Sequence, residues 1–185
     1  MTTKYVRQTE IKLAGIGART TNAAEAGPNG RLPELWERYY RENIAAAVGG
    51  ADSTTLYALY TDYESDASGA YTVIIGHEPQ ETGEGQESGK GTEVGNGTGI
   101  GTEISYGTGI ETGLQQAVIP ASDYLVFQSR KGPVQTVVAE AWGQIWAYFQ
   151  DSAEKRTFTG DYELYDLQDF DPGNAVVSIY IAVEF

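Results

Sequence analysis

Glu140-Ala141-Trp142-Gly143-Gln144-Ile145-Trp146, followed by Tyr162-Glu163-Leu164-Tyr165, repeats the pattern of Glu34-Leu35-Trp36-Glu37-Arg38-Tyr39-Tyr40 followed by Tyr57-Ala58-Leu59-Tyr60. In each copy an aromatic-striped helical segment precedes a strand flanked by tyrosines. The element order is strand, helix, strand, strand, and then the same again, so the chain reads as an internal duplication of a βαββ unit. The predicted fold class is α+β, with antiparallel sheet, two helices packed against it and pseudo-twofold symmetry. A central groove between related halves is a natural place for a small ligand. One position breaks the symmetry: Ala58 of the first copy is Glu163 in the second, an acid among aromatic and apolar neighbours.

Working outward, Leu32, Leu35, Trp36, Tyr39, Tyr40 and Ile44 follow a three-four spacing that puts them on one helical face. Pro33 suits the first turn, where its missing N–H costs little, and Gly49-Gly50 ends the segment. The second helix opens at Gly132-Pro133, carries Val134, Val138, Ala141, Trp142, Ile145, Trp146 and Phe149 as its stripe, and closes over residues 152–155. Residues 5–19 read as one extended strand bent around Gly15 and Gly17, and residues 22–30 as a loop. Residues 54–62 and 70–78 form a hairpin. The strand signal returns over residues 116–128, interrupted by Pro120, and a last hairpin joins 157–167 to 175–185 through Asp171-Pro172-Gly173-Asn174.

The chain has 185 residues, enough for one compact unit: a first half over about 1–79, an insert over about 80–114 and a second half over about 115–185. Twelve basic residues against twenty-six acidic give a formal charge of −14, which argues against nucleic acid as a direct partner. The absence of cysteine and the single His77 exclude disulfides, thiolate chemistry and a His/Cys metal cluster, and no cofactor is expected. No nucleophilic triad is legible. The N-terminus lacks an apolar signal region, and no run approaches the roughly 20 apolar residues of a membrane span, so the expectation is a cytoplasmic protein without membrane contact. Residues 81–113 contain eleven glycines and read as a flexible tether. The alternative is a β-ribbon stacking Val94, Ile100, Ile104 and Ile110 over the groove or against a second subunit, which leaves a homodimer open.

Taken in order, Leu32-Pro33-Glu34-Leu35-Trp36, residues 56–60 through Tyr71-Thr72-Val73-Ile74-Ile75-Gly76, Ile119-Pro120-Ala121-Ser122-Asp123-Tyr124-Leu125-Val126-Phe127, Asp161-Tyr162-Glu163-Leu164-Tyr165-Asp166 and Ile179-Tyr180-Ile181-Ala182-Val183 resemble the GyrI-like effector-binding family. That family comprises ligand-sensing domains of AraC-type and MerR-type regulators, a gyrase-inhibitory protein, and stand-alone proteins that include integron-cassette products binding cationic drugs. The resemblance covers nearly all of the chain outside the insert and implies a duplicated βαββ fold with a ligand groove along its pseudo-dyad. No helix-turn-helix segment precedes Tyr5 or follows Phe185, so the expectation is a sensing module without a DNA reader. The insert is longer than the family's usual linker.

The resemblance also implies a site. Glu163 matches a buried acid that pairs with lipophilic cations, and Trp36, Tyr57 and Tyr180 match aromatic pocket positions; Tyr60, Trp142 and Tyr165 complete the candidate set. Strand alternation independently places Glu163 and Tyr165 on the face opposite Tyr162 and Leu164. Trp36, Tyr40, Trp142 and Trp146 lie on apolar stripes, where core packing is the ordinary role, and His77 reads as a strand or edge residue without chemistry. The leading expectation is a non-catalytic binding protein for small lipophilic cations or other aromatic ligands. The alternatives are a hydrolase of electrophilic compounds using Glu163 with Tyr57, Tyr165 or Tyr180, and a gyrase-inhibiting module whose acidic surface imitates nucleic acid.

Overall fold

The computed structural model describes residues 3–79 and 113–184. The tether and ribbon readings of the insert fall on residues 80–112 and lie outside the described part. The described residues form strands β1 (Thr3–Gln8), β2 (Ile11–Thr21), β3 (Thr55–Thr61), β4 (Ala70–His77), β5 (Gln115–Ile119), β6 (Ser122–Gln128), β7 (Lys155–Arg156), β8 (Asp161–Asp166) and β9 (Ser178–Glu184). Helices are α1 (Asn22–Glu25), α2 (Leu32–Arg41), α3 (Ile44–Ala47) and α4 (Val134–Gln150). All strands join one curled antiparallel sheet in the order β1-β6-β9-β8-β3-β4-β2-β5, with β7 beside β9. The mixed α+β class and the two main helices are those read from the sequence.

The register of the two central strands exposes the symmetry. Ala58 of β3 stands directly opposite Glu163 of β8, flanked by Tyr57 opposite Leu164 and Leu59 opposite Tyr162. Ala58 and Glu163 are the equivalent positions of the two copies, so the pseudo-dyad runs through this pair. The halves are also interleaved. β1 pairs with β6, from Thr3 opposite Phe127 to Gln8 opposite Ser122, while β5 pairs with β2, from Ile11 opposite Ile119 to Gly15 opposite Gln115. The single bent strand expected over residues 5–19 is therefore two strands, the first of which crosses to the other half. Residues 116–128 divide likewise at Pro120-Ala121, where proline has no N–H to contribute to a ladder.

The loop expected over residues 22–30 begins with the single turn α1, capped by the Thr21 hydroxyl accepting from the Ala24 N–H. The first main helix stops at Arg41, because Asn43 takes a left-handed conformation (φ 49°) and the chain restarts as α3, which buries Ile44. Where β2 and β4 cross, Gly15 faces Gly76, and a Cβ on Gly15 would lie 2.0 Å from the Ile75 carbonyl oxygen. Only glycine permits this approach.

The two faces of the sheet bury different sets. Helices α2 and α4 cover one face, packing Leu35, Tyr39, Ala141 and Ile145 against Ile16, Ala58, Tyr60, Ile75, Leu125, Phe127, Tyr165 and Ile179. The opposite face collects Leu13, Tyr57, Leu59, Ile74, Ile119, Tyr124 and Tyr162, with Tyr180 against them. Tyr162 and Tyr180 stack at 4.4 Å with rings 9° apart. Four of the chain's thirteen tyrosines, Tyr57, Tyr124, Tyr162 and Tyr180, thus form part of a second apolar layer.

His77 is fully buried at the end of β4, an interior strand, so of the two positions expected, strand or edge, it takes the first. Its Nδ1–H donates to the Thr55 carbonyl at 2.7 Å, which leaves Nε2 to accept from the Tyr39 hydroxyl at 2.5 Å. The ring ties α2 to the sheet. Burial lowers its pKa from the ordinary 6.5, so the neutral form is favoured in the fold. A depressed folded pKa adds stability above the unfolded value and loses it as pH falls through the folded one. His77→Leu is expected to cost about 1–3 kcal/mol at neutral pH, by leaving the buried Tyr39 hydroxyl without its acceptor and the Thr55 carbonyl with only the Ser53 hydroxyl, and to flatten the loss of stability below about pH 6.5. Urea unfolding of both proteins at pH 7.5 and pH 5 checks this.

Candidate ligand-binding site

Strand period two sends Asp161, Glu163 and Tyr165 to the helix-covered face of β8, together with Ala58 and Tyr60 of neighbouring β3. Ala58 is small, and that is what leaves room at the dyad for the longer acid opposite it. Glu163 is 2 % exposed. Its Oε1 accepts from the Tyr60 hydroxyl at 2.7 Å and from the Trp142 indole N–H at 2.6 Å, and its Oε2 accepts from the Tyr165 hydroxyl at 2.5 Å. Tyr60 and Tyr165 are equivalent residues of the two copies. One carboxylate on the pseudo-axis therefore receives the same hydroxyl from both halves.

The aromatic walls follow the same symmetry. Trp142 lies 5.0 Å from Tyr60, and its counterpart Trp36 lies 5.4 Å from Tyr165. Outside them, Trp36 stacks on Tyr40 at 6.2 Å and Trp142 lies 6.5 Å from Trp146. Tyr40 and Trp146 are 64 % and 44 % exposed, so these outer members of the helical stripes are not core residues. The helical period places Trp36 and Tyr40, or Trp142 and Trp146, one above the other along a helix face, which carries an aromatic path from the surface inward.

Burial raises the pKa of Glu163 from its ordinary 4.5, and the three donated hydrogen bonds pull it part of the way back. Each of the three donors is electrically neutral. Tyr60 and Tyr165 are pushed well above the usual tyrosine value, first by burial and then by the neighbouring Glu163 charge, so both remain protonated donors.

Of the seven predicted site residues, the structure brings together Glu163, Trp36, Tyr60, Trp142 and Tyr165. Tyr57 and Tyr180 lie on the opposite face, in the second apolar layer. There Tyr57 donates to Glu78 Oε1 at 2.8 Å, and burial with that bond raises its pKa to about 12. Of the tyrosines considered as catalytic partners of Glu163, only Tyr165 touches it.

Sequence reading missed a second buried cluster beside the first. Asp161, fully buried, accepts from Arg156 Nη2 at 2.5 Å, from the Tyr63 hydroxyl at 2.9 Å and from the Ala182 N–H at 2.8 Å. The Arg156 guanidinium lies 5.9 Å from the Trp142 ring and 4.4 Å from that of Phe158. Asp161 was legible, since it stands two residues before Glu163 and shares its face; Arg156, on the short β7, carries no such signal. No cluster of His, Asp and Glu able to hold a metal occurs among the described residues, and no helix there is long and apolar enough to cross a membrane.

The comparisons with known proteins agree with this architecture. YobU of Bacillus subtilis, named as a candidate transcriptional regulator, is 32% identical over 174 residues, covering 94% of this chain and 92% of its own. The crystal structure of an integron cassette protein from the mobile metagenome of Vibrio cholerae superposes with a TM-score of 0.70 at 26% identity, covering 98% of this chain and 95% of that one. SAV2435, solved bound to tetraphenylphosphonium, shares the fold with a TM-score of 0.67 at 19% identity, over 100% of this chain and 94% of that one. Residues 1–184 match the description GyrI-like small molecule binding domain, and the chain belongs to that family.

Proposed function

We propose that this protein is a non-catalytic sensor or sequestering module for amphipathic aromatic cations, with Glu163 as the charge partner. The observation that carries the reading is a carboxylate 2 % exposed whose three donors are all uncharged. Ionising such a group in a low-dielectric site is costly, and an incoming cation recovers Coulomb energy that a neutral ligand cannot. The faces of Trp36, Tyr60, Trp142 and Tyr165 would each add about 0.5–2 kcal/mol of cation–π attraction. Tetraphenylphosphonium in SAV2435 supports the ligand class at the level of a shared fold, and the relation to YobU supports a sensing role.

Direct approach to Glu163 requires one of its three donors, Tyr60, Trp142 or Tyr165, to leave the carboxylate. Trp142 is only partly buried and stands under exposed Trp146, which makes it the side chain to swing. A ligand that binds only the open arrangement selects it from the ensemble at the cost of that equilibrium.

The raised pKa gives a test with a defined sign. Cations bind the ionised form, so affinity falls as pH drops through the folded-state pKa of Glu163, and binding drives proton release. Titration calorimetry between pH 4 and pH 8 should show tetraphenylphosphonium affinity rising with pH toward a plateau, while neutral triphenylphosphine oxide stays flat. Equal affinity for the two compounds throughout would overturn the assignment.

A further inference from the structure

The start of α2 is capped by a side chain from outside the helix. Arg31, at the N-cap position, makes no side-chain bond to the first turn, and Pro33 has no N–H to satisfy. The N–H groups of Arg31 and Leu32 go instead to Glu25 of α1, whose Oε1 accepts from Arg31 at 2.8 Å and whose Oε2 accepts from Leu32 at 3.2 Å. The same carboxylate accepts from the hydroxyl of Thr20, a buried residue of β2. Gly30 leaves room for this approach, since a Cβ there would lie 2.8 Å from Glu25 Oε2. A negative group at this end also meets the positive pole of the helix. The equivalent helix of the second copy is seated differently: its N-cap, Pro133, offers no side-chain bond, and the Val134 N–H donates to the Pro172 carbonyl at 2.8 Å.

We infer that Glu25 is a positioning residue for the ligand site, acting through Trp36. This role rests on the cation reading and adds to it the side chain that sets one of the aromatic walls. Trp36 stands one helical turn after Leu32, with its ring 5.4 Å from that of Tyr165, whose hydroxyl bonds Glu163. A line of contacts therefore runs from Thr20 in the sheet, through Glu25 and the start of α2, to the wall of the buried carboxylate. Farther along, the helix is fixed by its own core residues, because Leu35 and Tyr39 are buried and the Tyr39 hydroxyl bonds His77. Its first turn has less to hold it: Leu32 is only partly buried, and Pro33 and Glu34 are exposed. Loss of the Glu25 carboxylate loosens this turn without unfolding the helix, and an aromatic face that must meet a cation loses its fixed place.

The test is a double-mutant cycle on tetraphenylphosphonium affinity, measured by fluorescence titration, with the indole N–H resonances of the three tryptophans followed by NMR. Glu25→Ala is expected to weaken binding by about three-fold or more and to shift the Trp36 resonance, while that of Trp142 keeps its place. Glu25→Gln retains one acceptor oxygen and should fall between the parent and Glu25→Ala. In a Trp36→Ala background, Glu25→Ala should change affinity by less than about 1.5-fold, because the group it positions is gone. A general loosening of the fold, or the simple removal of one negative charge, would weaken binding equally in both backgrounds. The role is overturned if folded Glu25→Ala binds as the parent does, or if its loss persists in Trp36→Ala. Should Glu25→Ala fail to fold, Glu25→Gln runs the same cycle under the same criteria. Glu163→Gln in the same assay separates the two readings: a loss there with none at Glu25 overturns the positioning role alone, and absence of tetraphenylphosphonium binding to the parent overturns both.

Discussion

Glu163→Gln is expected to weaken tetraphenylphosphonium binding by about ten-fold or more at neutral pH, a loss of at least ~1.4 kcal/mol, while leaving the protein folded. The reason lies in how the three donors divide. Trp142 and Tyr60 both address Oε1, which the amide oxygen of glutamine can replace, and Tyr165 addresses Oε2, where the new NH₂ can donate to a hydroxyl that simply turns round. Shape and hydrogen bonding survive, and only the charge is lost. Because a carboxyl with a raised folded pKa loses stability as pH rises through that pKa, the variant should melt at the same temperature as the parent or higher at pH 8. Triphenylphosphine oxide binding should change less than two-fold. Fluorescence titration with both compounds, beside thermal melts, reads these outcomes together; unchanged cation affinity in a folded variant removes Glu163 from the site.

Asp161→Ala is expected to be the most destabilising single substitution in the sheet centre, costing about 3–5 kcal/mol, since it strands a buried cation. Asp161 is fully buried and meets Arg156, Tyr63 and the Ala182 N–H of β9 at once. Its loss leaves an uncompensated guanidinium, a buried hydroxyl and a backbone donor without their acceptor. Against the 5–15 kcal/mol that separates folded from unfolded states of typical domains, that is a large share. Urea unfolding should show the midpoint falling with little change in slope. The double variant Asp161→Ala/Arg156→Met should recover much of the loss, because the charge left behind, rather than the missing contact, is the larger part of the cost. A loss under 1 kcal/mol in the single variant would mean that the pair is hydrated and unimportant.

The α+β class, the duplication and the extents of α4 and of the β3–β4 hairpin were determined by the sequence alone, because each rests on local periodicity. A stripe at helical spacing closes α4 between Pro133 and Asp151, and period-two alternation sets which residues of β8 share a face. That alternation was enough to place Glu163 beside Tyr165 and away from Tyr162. It was also enough to exclude Tyr57, the equivalent of Tyr162 in the first copy, which shares a face with Tyr162 rather than with the acid. The position of Tyr180 was not legible in this way. Its face follows from standing opposite Tyr162 across the β8–β9 ladder, and ladder register is settled between segments remote in sequence. The same holds for the exchange of β1 and β5 between the halves and for the pairing of Ala58 with Glu163 on the pseudo-dyad. Local propensity specifies a strand but not its neighbour. Only the assembled sheet sets Ala58 opposite the buried acid, brings a tyrosine to it from each half, and sets Arg156 of β7 against buried Asp161 of β8.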